Sequence, residues 1–375
     1  MNKKELSKLL KEKQKRSRLK DYEHNFTRFA EEQIQIVTKD VARGFVPFKF
    51  NKAQQIITEK LEEQKNATGK VRAIILKARQ QGISTYCAGR VFWKSYYTPH
   101  SRSVVMAHDS ATSDALFAMS KNLIRNMEGN LAPNEIRSNA KEIIINSPAM
   151  GDKDATASYR LYTAGSPEAG RGTTPTIAHC SEVAFWQHDE KILAGLFQGI
   201  SQADGTEVIL ESTANGAQGE FYRLWKGAEM GENEYLPIFL PWYITPEYTR
   251  EPPENMELTV EEEKLRDKHD LTDGQLYWRR LKIAEGGELK FKQEYPSTAD
   301  EAFIMSGSNV FNLERLDALV PQSYQRRSEW DPASKMFDEN KEGSLYIYQF
   351  PDWYEPYVVA ADVALGVGQD YSAAV

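Results

Sequence analysis

Between residues 38 and 225 the chain alternates short aliphatic or β-branched runs with longer segments of helical spacing. The runs fall at 73–76, 103–107, 142–145, 160–162, 176–178 and 207–210. Three, 103–107, 142–145 and 207–210, are continuously apolar after a polar first residue, and 73–76 is apolar throughout, as in strands buried on both faces of a largely parallel sheet. In segment 113–127, Leu116, Met119, Leu123 and Met127 recur at helical intervals and form an apolar stripe suited to covering such a sheet. The pattern predicts an α/β domain, a mostly parallel sheet flanked by helices.

After residue 235 the pattern changes. Pro237, Pro241, Pro246, Pro252 and Pro253 punctuate an aromatic stretch. Two polar helices follow, each opened by a capping-box pattern, Thr259-x-x-Glu262 and Thr272-x-x-Gln275. A small helical subdomain attached to the sheet is expected here. Strand character returns near residue 344, in runs at 345–350, 357–362 and 371–375, and the last reads as a strand cut short. The expected divisions are a basic N-terminal arm or helix (1–30), a sheet-containing core (31–234), a helical linker (235–343) and a further β-rich start (344–375).

Charge adds one feature. The net charge is −7, yet the first twenty residues hold nine Lys or Arg against Glu5 and Glu12. A basic arm on an acidic body attracts phosphate backbones without making the whole protein a polycation; a solvated helical face gives the same composition. No apolar run nears twenty residues, and the charged start lacks the apolar core of a secretory signal. Cys87 and Cys180 make neither a disulfide framework nor a zinc cluster. A reducing cytoplasm is the expected setting.

The chemistry concentrates in Lys77-Ala-Arg79-Gln80-Gln81-Gly82-Ile83-Ser84-Thr85, between a buried strand and a helix-like stretch at 86–97. A P-loop, G-x-x-x-x-G-K-[ST], cradles phosphates on backbone N–H groups at a helix N-terminus, with a lysine for charge and a hydroxyl for Mg2+. Laid over it, Gly82 takes the second glycine and Ser84 the hydroxyl, while Lys77 stands at the first glycine and Ile83 at the lysine. A lysine at the loop's front has a stem long enough to fold back over phosphates, and Arg79 adds a second cation. The plainer alternative is a strand-to-helix turn whose Gly82 only permits a bend.

Two further segments fit a nucleotide site. Glu182 follows a short apolar run at the carboxyl end of a strand, where sites collect in open α/β sheets. Ser181 occupies the place of the usual Walker B aspartate. The strand at 207–210 leads, past Glu211, into Ser212-Thr213-Ala214-Asn215-Gly216, whose small polar groups are able to sense a γ-phosphate and equally make a turn.

Together these segments resemble the large terminase subunits of tailed bacteriophages, ATPases that pump DNA into a procapsid. The likeness covers nearly the whole chain. The 77–85 loop is similar to that family's deviant Walker A, 179–186 to a Ser-Glu form of its Walker B, and 212–216 to its coupling motif. Residues 291–303 resemble the stretch joining ATPase to nuclease, and Phe48-Lys-Phe-Asn-Lys-Ala-Gln54 resembles the adenine-contacting segment. Segment 357–370, with Asp362, looks like the opening of an RNase H-like nuclease, a two-metal site whose other ligands would lie beyond Val375.

The resemblance implies an ASCE-type P-loop NTPase with ATP and Mg2+ as ligand and cofactor. Lys77, Arg79, Gln80, Gln81, Gly82, Ile83, Ser84 and Thr85 would bind nucleotide, with Gln54 on adenine and Ser212, Thr213 and Asn215 sensing the γ-phosphate. Ser84 or Thr85, with Ser181, would serve the metal. Glu182 would act on water, and Arg79 or Arg171 would be the arginine finger. Implied partners are double-stranded DNA, a portal protein and a small terminase subunit, with a homo-oligomeric ring on the procapsid, a monomer in isolation, no membrane and a host-cytoplasmic setting. Two other classes remain open: a helicase or remodeller, which generally carries a second motor domain that nothing after residue 235 resembles, and a non-hydrolysing nucleotide-binding module, which the missing Walker lysine and aspartate would allow.

Overall fold

The computed structural model describes residues 3–38, 44–127, 129–165, 174–303, 324–341, 343, 345–347, 361–362 and 373–374. The chain divides into two units, residues 1–308 and 309–375.

In the first unit, α1 (Lys3–Glu23) and α2 (Phe26–Gln33) precede an antiparallel ribbon of β1 (Gln35–Val37) and β2 (Phe45–Pro47). The basic α1 is exposed along most of its length. In α2, by contrast, Phe26, Phe29 and Ala30 are buried, and Phe26 stacks on Trp93 at 5.2 Å. The chain therefore joins the core before residue 30. Next, α3 (Lys52–Thr68) opens on a reciprocal capping box between Asn51 and Gln54.

The central sheet follows, interleaved with helices: β3 (Val71–Lys77), α4 (Ile83–Tyr97), β4 (Arg102–Ala107), α5 (Ser110–Arg125), β5 (Asn134–Ser138), β6 (Glu142–Asn146), β7 (Ala157–Thr163), β8 (Ile177–Ser181), α6 (Asp189–Gly199), β9 (Glu207–Ser212), α7 (Gly219–Glu229) and β10 (Leu236–Leu240). Eight strands pair in the order β10-β3-β9-β8-β4-β7-β6-β5, parallel from β10 to β7 and antiparallel for the last two pairs. Every residue of β3, β8 and β9 is buried. Side chains of α3, α4 and α5 pack with one face of these strands, and those of α6 and α7 with the other. Each fully buried aliphatic or aromatic side chain in these layers contributes about 1.5–3 kcal/mol.

All six expected strands are present. The sheet also runs past the expected boundary at 234, because β10 adds to β3 in parallel register, Ile238 opposite Ile75. Pro237 and Pro241 suggest a break. A proline is tolerated in an edge strand, where one side of the backbone needs no partner, and β10 is such an edge.

Beyond β10 stand α8 (Val260–His269), α9 (Asp273–Gly286), α10 (Glu288–Glu294) and α11 (Ala299–Ala302). Both capping boxes form, with Thr259 and Thr272 as the cap residues. An aromatic cluster centres the subdomain: Trp278 stacks between Trp242, at 5.4 Å, and Tyr248, at 4.5 Å. Ala78, from the loop after β3, belongs to that cluster.

In the second unit, β11 (Arg326–Asp331) pairs antiparallel with both β12 (Met336–Glu339) and β13 (Leu345–Ile347). Two of these strands lie inside the stretch expected to be helical linker. They are charged and largely exposed, so they carry no buried alternation to read. β14 (Ala361–Asp362) pairs with β15 (Ala373–Ala374), Asp362 opposite Ala373. The side chain of Asp362 lies outside the described residues, as does the whole of Arg171.

Candidate active site

Strand order assembles the site. Because β9 lies between β3 and β8, the carboxyl ends of three parallel strands bring Lys77, Glu211 with Ser212, and Ser181 with Glu182 side by side. Ser181 sits in register with Glu211, and Leu76 with Ser212. This is the edge of an open α/β sheet at which ligands bind.

The loop 78–82 leaves β3 and enters α4 through two left-handed residues, Gln80 (φ 57°) and Gly82 (φ 75°). Gly82 is required twice over: its φ disfavours any side chain, and an added Cβ would stand 3.0 Å from Gln54 Nε2. That amide donates to the Gly82 carbonyl at 2.8 Å, and Asn51 Nδ2 donates to the Gln81 carbonyl at 3.0 Å. Gln54 thus fixes the loop from behind and does not line the cavity. The fifteen-residue α4 points its N-terminus, with its free N–H groups and partial positive charge, at the loop.

A cavity of about 480 Å3 opens in front of this loop, a size suited to a small-molecule ligand. Lys77 and Arg79 to Thr85 line it on one side, and His108, Thr112, Glu182, Phe185, Thr213 and Glu294 on the other. Ser181, Ser212 and Asn215 are not in its lining: Ser181 and Ser212 are buried, and Asn215 donates its amide to the Ala184 carbonyl at 3.0 Å. Ile83 lines the cavity while remaining 2% exposed and packed in the core, so a lysine there would bury its charge.

Lys77 Nζ lies 2.7 Å from Glu182 Oε1 and 3.2 Å from Glu211 Oε2. Burial opposes its charge, but the two carboxylates outweigh burial and hold the ammonium protonated well above the usual lysine range. Glu211 is wholly buried. Burial pushes its carboxyl up; Lys77, then the hydrogen bonds of His179 and Ser181, overcome that and keep it ionised well below the usual range. Its Oε1 accepts from the Ser84 hydroxyl at 3.0 Å and faces His179 Nε2 at 3.3 Å.

Glu182 adopts a left-handed conformation, φ 53° and ψ 46°, in which a non-glycine residue is held only by its surroundings. Those surroundings are Lys77, the Thr213 N–H at 3.4 Å and the Ser212 hydroxyl at 3.5 Å, all directed at its carboxylate. The result is an oriented, partly exposed carboxylate at the cavity wall, suited to orienting and deprotonating water.

Arg79 and Gln81 tie the loop to the helical subdomain. The Arg79 side chain is 54% exposed and pairs with Glu294 at 3.2 Å, while its N–H donates to the Glu294 carbonyl at 2.8 Å. Gln81 is buried and turns away from the cavity mouth, donating to the Pro241 carbonyl and to Thr245 Oγ1 at 2.9 and 3.1 Å. Gln293, next to Glu294, donates to the Ala214 carbonyl at 2.9 Å.

Glu211, His108, Thr112, Phe185 and Glu294 are site residues that motif reading does not find. Glu211 has one sequence signal, an acid interrupting the apolar run Val208-Ile209-Leu210 of a fully buried strand.

No protein-family model matches this sequence, and no curated protein matches it. Solved structures do. The large terminase of bacteriophage HK97 is 13% identical, with 82% of this chain aligned to 62% of that one at a TM-score of 0.50. The large terminase ATPase domain of a Thermus phage is 15% identical over 66% of this chain and 93% of that one, TM-score 0.45. A thermophilic bacteriophage's large terminase in complex with ADP is 12% identical over 75% and 62%, TM-score 0.48. The chain spans less than two thirds of the HK97 protein, and the likeness is one of architecture: this is the α/β P-loop NTPase fold found in phage large terminases.

Proposed function

We propose that this chain is the ATP-hydrolysing motor of a phage terminase large subunit, which drives double-stranded viral DNA into a procapsid. The observation that supports it most is the meeting of Lys77 and Glu182 at 2.7 Å before a glycine-bent loop and a helix N-terminus. A cation that neutralises phosphates and a carboxylate that handles water stand where one γ-phosphate could contact both.

In this reading the α4 N-terminus and loop N–H groups receive the phosphates, and Lys77 exchanges Glu182 for phosphate oxygens. Glu182, still held by Ser212 and Thr213, orients the attacking water and takes its proton as the bond to the ADP leaving group breaks. Arg79, exposed and free to swing from Glu294, meets the charge developing on the γ-phosphate; Arg171 is the alternative from a neighbouring subunit. The residues present fit a Mg2+ ion: Ser84 offers a hydroxyl at the cavity wall, oriented by its hydrogen bond to the buried Glu211 carboxylate at 3.0 Å. Mg2+ would supply charge neutralisation for the triphosphate.

Loss of the γ-phosphate would then reach the helical subdomain through Thr213, Ala214 and Gln293, and move DNA. Among the described residues no helix is long and apolar enough to cross a membrane; in this reading the work is done in a host cytoplasm. Portal protein, small terminase subunit and a ring of like subunits are the partners of this reading, and Asp362 would open the nuclease.

Phosphate release measured with and without double-stranded DNA tests the proposal. Turnover stimulated by DNA or by the procapsid partners is expected. Absence of release under every condition identifies a non-hydrolysing module, and strand separation identifies a helicase.

A further inference from the structure

We infer that Glu211 is the positioning carboxylate on the metal side of this site, acting from β9 in place of the aspartate that β8 lacks at Ser181. The inference rests on the ATPase reading above and assigns the residue that orients its metal ligand.

A carboxylate buried in a hydrophobic sheet is costly unless its oxygens are used. One oxygen of Glu211 is used fully: Oε1 holds the Ser84 hydroxyl at 3.0 Å and faces His179 Nε2 at 3.3 Å. The other, Oε2, is ion-paired with Lys77 Nζ at 3.2 Å. Charge balance alone does not require this arrangement, because Glu182 already pairs with Lys77 at 2.7 Å. What Glu211 adds is a grip on the Ser84 hydroxyl, the only loop hydroxyl that reaches a carboxylate among the described bonds, while its second oxygen stays with Lys77. Ser181, in register with Glu211 across β8 and β9, occupies the point from which an aspartate would do the same work. The carboxylate has moved one strand over, and the hydroxyl has stayed.

Outer-shell partners of a metal ligand typically change metal affinity by about 10–100-fold when removed. The experiment is titration of a fluorescent ADP analogue into the intact chain with Mg2+ and with EDTA. Wild type is expected to bind more tightly with Mg2+; Glu211→Gln is expected to lose about tenfold or more of that gain while binding metal-free nucleotide at least as well, since Lys77 is released. Glu211→Asp keeps the charge Lys77 needs and withdraws the oxygen from Ser84 by one methylene, so it answers the question if Glu211→Gln fails to fold; it should lose the gain too. Adding Ser181→Asp to Glu211→Gln should restore it. A Glu211 residue that only neutralises Lys77 would leave the Mg2+ gain intact in both single variants, and that result overturns the inference. Wild type that binds no nucleotide in either buffer overturns the ATPase reading itself.

Discussion

Lys77, the last residue of β3, and Glu182, 105 positions later, meet at 2.7 Å across the carboxyl edge of the sheet. Each fixes the other. The lysine stem is buried and its ammonium is held over the loop, while the carboxylate is drawn into a left-handed turn that no side chain adopts freely. A phosphate placed between them would replace one ion pair with another of similar strength, so binding and the freeing of Glu182 become one event.

If Glu182 is the base, Glu182→Gln keeps the shape of the side chain and removes its proton acceptor. ATP affinity should stay within about threefold of wild type while kcat falls by about 10²-fold or more. Stopped-flow binding and phosphate release on the same preparation separate the two, and wild-type turnover in the variant would remove Glu182 from the mechanism.

Arg79 is held by Glu294 only at its tip and is half-exposed, so its loss should leave the fold within about 0.5 kcal/mol of wild type. As the finger of its own subunit it should contribute about 10³-fold to kcat, so Arg79→Ala should be nearly inert with an unchanged melting curve. Retention of turnover in Arg79→Ala, with loss in Arg171→Ala, would assign the finger to Arg171.

The helical subdomain carries its own pH signature. The hydrogen bond from Arg280, with help from Thr259 and against burial, lowers the Glu262 carboxyl from its ordinary 4.5 to about 2. The depressed carboxylate therefore stabilises the fold fully above pH 4.5 and loses that contribution as pH falls through 2. Denaturant unfolding at pH 6 and pH 3 should cost wild type about 1–2 kcal/mol more than Glu262→Gln between the two pH values, allowing for solvent around Arg280. Equal pH dependence would place the pair outside the stability of the fold.

Cys87 and Cys180 are both fully buried, and burial first, then the nearby Glu211 charge, pushes both thiols well above their ordinary range. Native protein at pH 8 should react with neither under a thiol-disulfide reagent, and unfolding in guanidinium should expose both. Rapid labelling of the folded chain would mean that β8 or α4 opens locally.

The strands of the sheet were legible because burial on both faces writes continuous apolar runs, and the loop was legible because Gly82 and Ser84 keep P-loop spacing around a helix start. Neighbourhood was not. Nothing in the order of residues says that β9 inserts between β3 and β8, and that insertion alone carries Glu211 from an unremarked strand position to the centre of the site. Gln54 shows the same limit at side-chain level: its place upstream of the loop suggests an adenine contact, while its amide is taken up by the Gly82 carbonyl. β10 escaped notice for a different reason, since its proline, Pro237, is acceptable only because the strand lies at an edge.

The account turns on Lys77 serving as the phosphate cation that position 83 does not supply. Calorimetric titration of ATP with Mg2+ into wild type, Lys77→Ala and Ile83→Val measures this directly. The account expects Lys77→Ala to weaken binding by about tenfold or more and Ile83→Val, a loss of one buried methylene, to leave it within about twofold. Full affinity in Lys77→Ala, or the larger loss in Ile83→Val, would contradict it.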